Sequence, residues 1–340
     1  MVNNSTIADV AELAETSVAT VSRVINNKGY VSELTRIQVE KAISKLNYIP
    51  RVISMSNAKK NLRNVGILVP DLNNYFYPLE LMGIEKELEK KEYNIFLCNT
   101  YEQIDKEMKY IANLLKKGVD GIILVGSRST HINNEHVVAL AEKIPVVMTN
   151  DFIVGSNVYS VMIDVVNGAF KAVKHLIDLG HKKIAFINGN SEYSTFAYKY
   201  KGYQQALTNE NIEVPSKYIV NETPYETGGF AGMQKLLALN DPPTAVFTAS
   251  DQMAVGGISA IYKAGLQVPG DISLVGFSNI PLSEHLHPSL TTIDAYPYRV
   301  GKLAAETMIN VLNHKKQDSR KIILEPQLIE RNTCQKLVKD

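Results

Sequence analysis

The first fifty residues place their apolar side chains in three short helical patterns. Ile7, Val10, Ala11 and Ala14 share one helical face, Val21, Val24 and Ile25 share a second, and Val39, Ala42, Ile43 and Leu46 a third. Thr6 and Ser17 stand just before the first two patterns, where a hydroxyl can accept from a first-turn backbone N–H, and the third starts at Ser32. Asp9, three residues after Thr6, is a shorter version of the capping-box acid. Glu15-Thr16-Ser17 separates the first two patterns, and Asn26-Asn27-Lys28-Gly29 ends the second. The third stops before Pro50, since the residue preceding a proline disfavours helix. Two helices around a tight turn, with a third as support, have the spacing of a helix-turn-helix unit.

From Val65 the pattern changes to short β-rich runs alternating with longer amphipathic stretches. The runs are Val65–Val69, Ile95–Cys98, Gly121–Val125, Pro145–Met148, Ile184–Ile187, Ala245–Thr248 and Ile272–Phe277. Helices are expected between them, such as Leu79–Lys91, Lys106–Lys117, Val165–Leu179 and Ala254–Ala264, with a last helix Arg299–Asn313 and a last strand Lys321–Leu324. Such alternation predicts parallel sheets with helices on both faces. It occurs twice, which predicts an α/β body of two similar lobes. The expected organisation is a helix-turn-helix head over 1–49 and a linker over 50–63. A first lobe follows over 64–160 and 291–322, and a second over 161–290 and 323–340. In parallel sheets ligands bind beyond the carboxyl ends of the strands. That rule selects the loops Asp71–Tyr77, Asn99–Tyr101, Gly126–Ser129 and Asn150–Asp151 in one lobe. In the other it selects Asn188–Lys199, Glu222–Tyr225, Ser250–Asp251 and Ser278–Asn279. Asp71 and Ser127 enter the list of candidate binding residues on this ground.

Charge refines the picture. Residues 1–63 hold nine Lys/Arg against five Asp/Glu, whereas the rest holds 27 against 30. A basic head on a mildly acidic body suits a head that meets phosphate. No run of about 18 uncharged apolar residues occurs, so no membrane span is expected. The polar start, Met1 to Thr6, does not read as a signal peptide, and the expected location is the cytoplasm. Cys98 and Cys334 lack metal-like spacing, and Cys98 is expected to be a buried free thiol. No cofactor is expected. Asp164, His175, His181, His285 and His287 do not converge on a catalytic order, no Gly-rich phosphate motif follows a strand, and enzymatic activity is not expected. His175 and His181 bracket a helix end, where a cation is favourable.

If the second helix lies in a major groove, Val21, Val24 and Ile25 pack inward and Val18, Ala19, Ser22 and Arg23 remain outside. The Arg23 fork matches the acceptors of guanine, and Val18 and Ala19 are short enough to touch thymine methyls. Thr6, Ser17, Thr20, Asn26 and Tyr30 are candidates for phosphate contacts, which position without specifying. Spacing alone leaves open a three-helix bundle that binds no nucleic acid.

The stretch TIADVAELAETSVATVSRVINNKGYVSELTRIQVEKAISKLNYIP closely resembles the head of the LacI/GalR family of bacterial regulators. The resemblance continues through VGILVPDLNNYFYPLELMGIE, HLIDLGHKKIAFINGN, PTAVFTASDQMAVGG and VPGDISLVGFSNIPLSEHLHPSLTTI. It implies a homodimer on double-stranded DNA with a pseudo-palindromic operator, and base readers at Val18, Ala19 and Arg23. It also implies a hinge helix whose leucine wedges into the minor groove. Here Asn57 occupies that leucine's place, so a weaker kink, a wedge supplied by Met55, or a flexible tether is expected. The implied body resembles periplasmic sugar-binding proteins, with an effector between the lobes. Phe76 and Tyr77 match the aromatic pair at the cleft's edge. Lys199 stands where an arginine often clamps the effector. Asn150 and Ser278 replace aspartates, and Ser250 replaces the Asn or Asp before Asp251. A lysine without facing carboxylates points to an anionic, sugar-derived small-molecule effector. A protein co-regulator, such as a phosphorylated carrier protein, is the alternative.

Overall fold

The computed structural model describes residues 6–25, 29–46, 63–129, 134–213 and 216–337. The chain divides into two compact units, Met1–Lys60 and Asn61–Asp340.

The smaller unit holds α1 (Ile7–Leu13), α2 (Val18–Ile25) and α3 (Glu33–Lys45). The expected caps form. Thr6 Oγ1 accepts from Asp9 N at 3.3 Å while Asp9 Oδ2 accepts from Thr6 N at 2.6 Å. Ser17 Oγ accepts from Thr20 N at 3.1 Å, and Ser32 Oγ, not marked as a cap in the sequence, accepts from Thr35 N at 3.2 Å. The turn between α1 and α2 is a Schellman closure. Thr16 N donates to Ala11 O at 2.9 Å and Glu15 N to Glu12 O at 3.1 Å. Glu15 therefore takes the left-handed position, φ 49°, that glycine usually fills. Val10, Ala11, Ala14, Val21, Val24, Val39 and Ala42 form the small core, and Ile7, Ile25, Val31, Ile43 and Leu46 pack against it.

The larger unit contains two six-stranded sheets. The first has the order β11 (Lys321–Leu324), β5 (Tyr159–Ile163), β4 (Val146–Thr149), β3 (Gly121–Leu124), β1 (Asn64–Val69), β2 (Asn94–Asn99), parallel throughout. The second has the order β12 (Gln327–Ile329), β10 (Thr291–Asp294), β9 (Ser273–Ser278), β8 (Ala245–Thr248), β6 (Ile184–Asn188), β7 (Ile219–Asn221). Only its β10–β12 pair is antiparallel. Helices α4 (Phe76–Glu89), α5 (Ile104–Lys116), α6 (Glu135–Ala141) and α12 (Pro297–Leu312) cover the first sheet. Helices α7 (Val165–Asp178), α8 (Ser194–Asn209), α9 (Glu226–Leu237) and α10 (Asp251–Lys263) cover the second, and short α11 (Pro281–His285) follows β9. Helices α4 and α12 approach backbone to backbone. A Cβ on Gly83 would stand 2.1 Å from Tyr298 O, and one on Gly301 would stand 1.9 Å from Glu80 O.

The lobe boundaries differ from the expected ones by a few residues. Strand β5 runs to Ile163 in the first sheet, so the chain first crosses after Ile163, not after 160. Strand β10 pairs with β9 in the second sheet, so residues 291–294 belong there. Strand β11 carries 323–324 as part of the first sheet. Each strand is committed to one sheet by its ladder of hydrogen bonds, whereas the sequence boundaries cut across it. Helix α4 begins three residues before the expected Leu79. Pro78 sits in its first turn, where the missing N–H had no partner to lose. Cys98, on the edge strand β2, is half-buried rather than buried. His181 is no helix-end cation. Its buried ring bonds Thr244 Oγ1 at 2.9 Å, Ser273 Oγ at 3.0 Å and Gln335 O at 3.1 Å. Burial pushes its proton affinity down.

Candidate functional site

In the head, α2 presents the face that the sequence assigns to DNA. Val18 is 45% exposed, Ala19 and Arg23 are exposed, and Thr20 and Ser22 are half-buried, while Val21 and Val24 are buried. The Arg23 stem runs past Gly29, whose added Cβ would meet Arg23 Cδ at 3.7 Å. Tyr30 is 93% exposed. Thr6 and Ser17 spend their hydroxyls as caps, and Ser17 Oγ also lies 2.9 Å from Thr20 Oγ1. Asn26, Met55 and Asn57 lie outside the described residues. Leu34 and Ile37, exposed on α3, were not singled out in the sequence.

In the body, a cleft between the sheets encloses about 790 Å³, open solvent included. Asp71, Phe76, Tyr77, Ser127 and Asn150 line it from the first lobe, and Lys199, Ser250 and Ser278 from the second. These eight are sequence candidates, and every one stands at or just beyond a strand's carboxyl end or on the helix that follows. Asp251 is not among the lining residues. Its carboxylate is turned inward, where Ile280 N (2.9 Å), Ser283 Oγ (2.6 Å) and Thr292 Oγ1 (2.5 Å) donate to it. It ties α10 to the chain after β9 and to β10. Burial raises its proton affinity and those donors oppose the rise. Ser250, the cap of α10, accepts from Met253 N at 3.1 Å and donates to Pro224 O at 3.2 Å.

Lys199 is buried on α8. Its ammonium donates to Ala249 O at 2.7 Å and lies 4.2 Å from the Phe277 ring centre and 5.4 Å from that of Phe196. A cation over an aromatic face is attracted by the ring's quadrupole. Burial nevertheless dominates and pushes the lysine down to about 7, with Asp251 opposing. Phe76 and Tyr77 meet edge to face at 5.9 Å on the opposite wall.

The lobes are fastened across the cleft. Tyr225 Oη donates to Asp71 Oδ2. Gln252 Oε1 accepts from Tyr75 N at 3.0 Å, and its Nε2 donates to Asn73 O at 3.3 Å. On the other side Tyr193 Oη donates to Glu102 Oε2 at 2.9 Å, and Ser194 Oγ to Asp151 Oδ2 at 2.9 Å. Burial, followed by these bonds, raises both tyrosines, Tyr193 to about 12. The two lining carboxylates, Asp71 and Glu102, are thus each engaged by a tyrosine of the other lobe. Three lining or adjacent positions at strand ends adopt positive φ: Asn150 (60°), Ser278 (132°) and Asn279 (55°). Backbone strain of this kind collects at binding sites. Asn279 is held by Asp294 Oδ2 at 3.1 Å and by Arg331 at 2.9 Å.

The strand-end rule reached the loops that carry Tyr193, Phe196, Tyr225 and Asp151 but did not single out those residues. Glu102 lies one residue beyond a selected loop, and Gln252 one beyond another. Glu80, a buried acid on α4, lies within a stretch that carries the family resemblance but was not singled out there.

Two family models cover the chain. Residues 6–51 match the bacterial regulatory proteins of the lacI family, and residues 63–332 match the periplasmic binding proteins and sugar binding domain of the LacI family. Catabolite control protein A of Priestia megaterium is 38% identical over 329 residues, covering 96% of this chain and 98% of that protein. The ribose operon repressor of Haemophilus influenzae is 33% identical, covering 98% and 99%. Among solved structures, the lac repressor dimer bound to operator and the anti-inducer ONPF superposes with a TM-score of 0.80 at 26% identity, covering 97% of this chain and 99% of that one. Among the described residues no helix is long and apolar enough to cross a membrane.

Proposed function

The chain belongs to the LacI family of bacterial regulatory proteins and is a DNA-binding transcription regulator, and from that premise we propose that it is a homodimeric repressor controlled by a small anionic, sugar-derived effector. The effector sits between the lobes, and the heads occupy the two halves of a pseudo-palindromic operator. Cleft closure then sets the separation of the two heads, and heads spaced wrongly lose the avidity of the second contact.

The effector reading rests on Lys199. It is a buried amine on the cleft wall whose partners are a carbonyl and two aromatic faces, and an anion beside it would hold it in its charged form. Asp251 favours the charged form of Lys199 but makes no ion pair with it among the described residues, its carboxylate being turned to three other donors. An anion brought beside Lys199 supplies the missing counter-charge in a low-dielectric place, where such a pair is stronger than in water. The aromatic rings offer flat apolar faces to the carbon side of a sugar.

A thermal-shift series with D-gluconate, glucose 6-phosphate and glucose tests this. A ligand at 100 times its dissociation constant stabilises by about 2.7 kcal/mol. Stabilisation by an acid or phosphate, absent with glucose and absent in Lys199→Met, supports the reading. Stabilisation by glucose alone contradicts the anionic class. No response to any of them favours control by a protein co-regulator.

A further inference from the structure

We propose that Glu80 is a positioning residue for the cleft, holding the Asn150 amide so that its carbonyl oxygen, not its NH2 group, faces the space between the lobes. The proposal rests on the reading of that space as the effector site.

Glu80 lies on α4 one turn beyond Phe76 and is fully buried. Its Oε2 accepts from Asn150 Nδ2 at 3.0 Å. Oε1 has no hydrogen-bond partner among the described residues. The groups facing it are Tyr77 from its own helix and Thr149 and Asn150 from the end of β4, while α12 presents Gly301 to its backbone carbonyl. The Thr149 hydroxyl, which accepts from Gly126 N at 3.1 Å, and the Asn150 amide both favour the charged carboxylate. Burial outweighs them and pushes the acid up to about 8. A leucine would fill this position without that penalty, since replacing a buried polar group by an apolar one of similar volume is often neutral or stabilising. A destabilised titratable group directly behind a cleft residue is a marker of function.

The consequence follows from the chemistry of an amide, which has a donor end and an acceptor end. Asn150 lines the cleft and its donor end is turned to Glu80. The acceptor end is what remains for a ligand. A hydroxyl or N–H is accepted there, whereas a carboxylate or phosphate oxygen would meet a like dipole. The ligand is therefore oriented, with its anionic end toward Lys199 on the second lobe and a hydroxyl toward Asn150 on the first.

The test uses the full chain with ¹⁵N-labelled asparagine, Asn150→Ser identifying the side-chain signal. In the wild type the Asn150 NH2 signal should shift with pH about a midpoint near 8. In Glu80→Gln it should stay hydrogen-bonded but lose the titration. In Glu80→Leu it should move to the position of a free amide and exchange with water roughly tenfold faster. An Asn150 signal indifferent to pH and to both substitutions overturns the proposal. Should Glu80→Leu not fold, the wild-type profile against Glu80→Gln still decides. A cleft that binds none of the sugar-derived probes leaves the Asn150 signature in place, so the two readings fail separately.

Discussion

The phenolic hydroxyl of Tyr225, at the start of α9, donates across the cleft to the carboxylate of Asp71, just beyond β1. This bond joins one lobe to the other. Tyr225→Phe should remove a hydrogen bond to a charged group, worth about 1.5–3 kcal/mol. The expected result is a more open body, read as a larger radius of gyration in solution scattering, with the fold intact. An unchanged scattering profile would show that the remaining fastenings suffice.

Lys199 gives a pH dependence of definite sign. Folding lowers its proton affinity from 10.5 to about 7. Between those values the unfolded chain binds the extra proton, so stability rises with pH across the window. The contribution is lost as pH falls through about 7 and is flat below. Urea unfolding at pH 7, 8 and 9 should show a steeper rise for wild type than for Lys199→Met, by up to about 1.4 kcal/mol per pH unit. Parallel profiles would place Lys199 in water rather than under Phe277.

Arg23 is the exposed guanidinium on the outer face of α2. Arg23→Ala should cost about 1–3 kcal/mol on the selected operator and relax the preference for guanine at one position in each half-site. Loss of affinity equal on all sequences would instead assign Arg23 to phosphate. Competition binding against single-base operator variants separates the two.

Glu15 holds a left-handed conformation at the turn between α1 and α2. Glycine adopts it without the clash that costs other residues about 1–2 kcal/mol, though it loses more chain entropy on folding. Glu15→Gly should therefore stabilise the head by up to about 1 kcal/mol without moving α2. Thermal unfolding followed by circular dichroism checks the gain.

At the linker, operator bending is expected to depend on Met55 and to increase in Asn57→Leu, because an apolar wedge unstacks a base step as an asparagine does not. Gel-phasing of wild type, Met55→Ala and Asn57→Leu measures it. A bend unchanged in Met55→Ala removes that residue from the account.

Much of this was legible in the chain because it depends on local rules. Thr6 and Ser17 cap where a hydroxyl precedes an apolar period. The loops of eight candidate cleft residues were reached because parallel strands gather their carboxyl ends, and the family resemblance singled out six of the eight, Asp71 and Ser127 resting on the strand-end rule alone. What escaped depends on partners distant in sequence. Asp251 follows Ser250 at a strand end, yet Ser283 and Thr292 draw its carboxylate inward, and neither is signalled by local pattern. Strand β10, Thr291–Asp294, is short and mostly polar, and only its pairing with β9 and β12 makes it a strand. Tyr225 is one residue of a selected loop until Asp71, 154 positions away, gives it a role.

The most direct measurement is selection of DNA by the purified full-length protein from a random-sequence pool, followed by binding to the winner across a salt series. The account predicts an inverted repeat with its two halves about one helical turn apart. Affinity should fall steeply with salt as phosphate counterions are released, and Arg23→Ala should lose the preference. A pool that yields no repeat, or binding indifferent to salt, would contradict it.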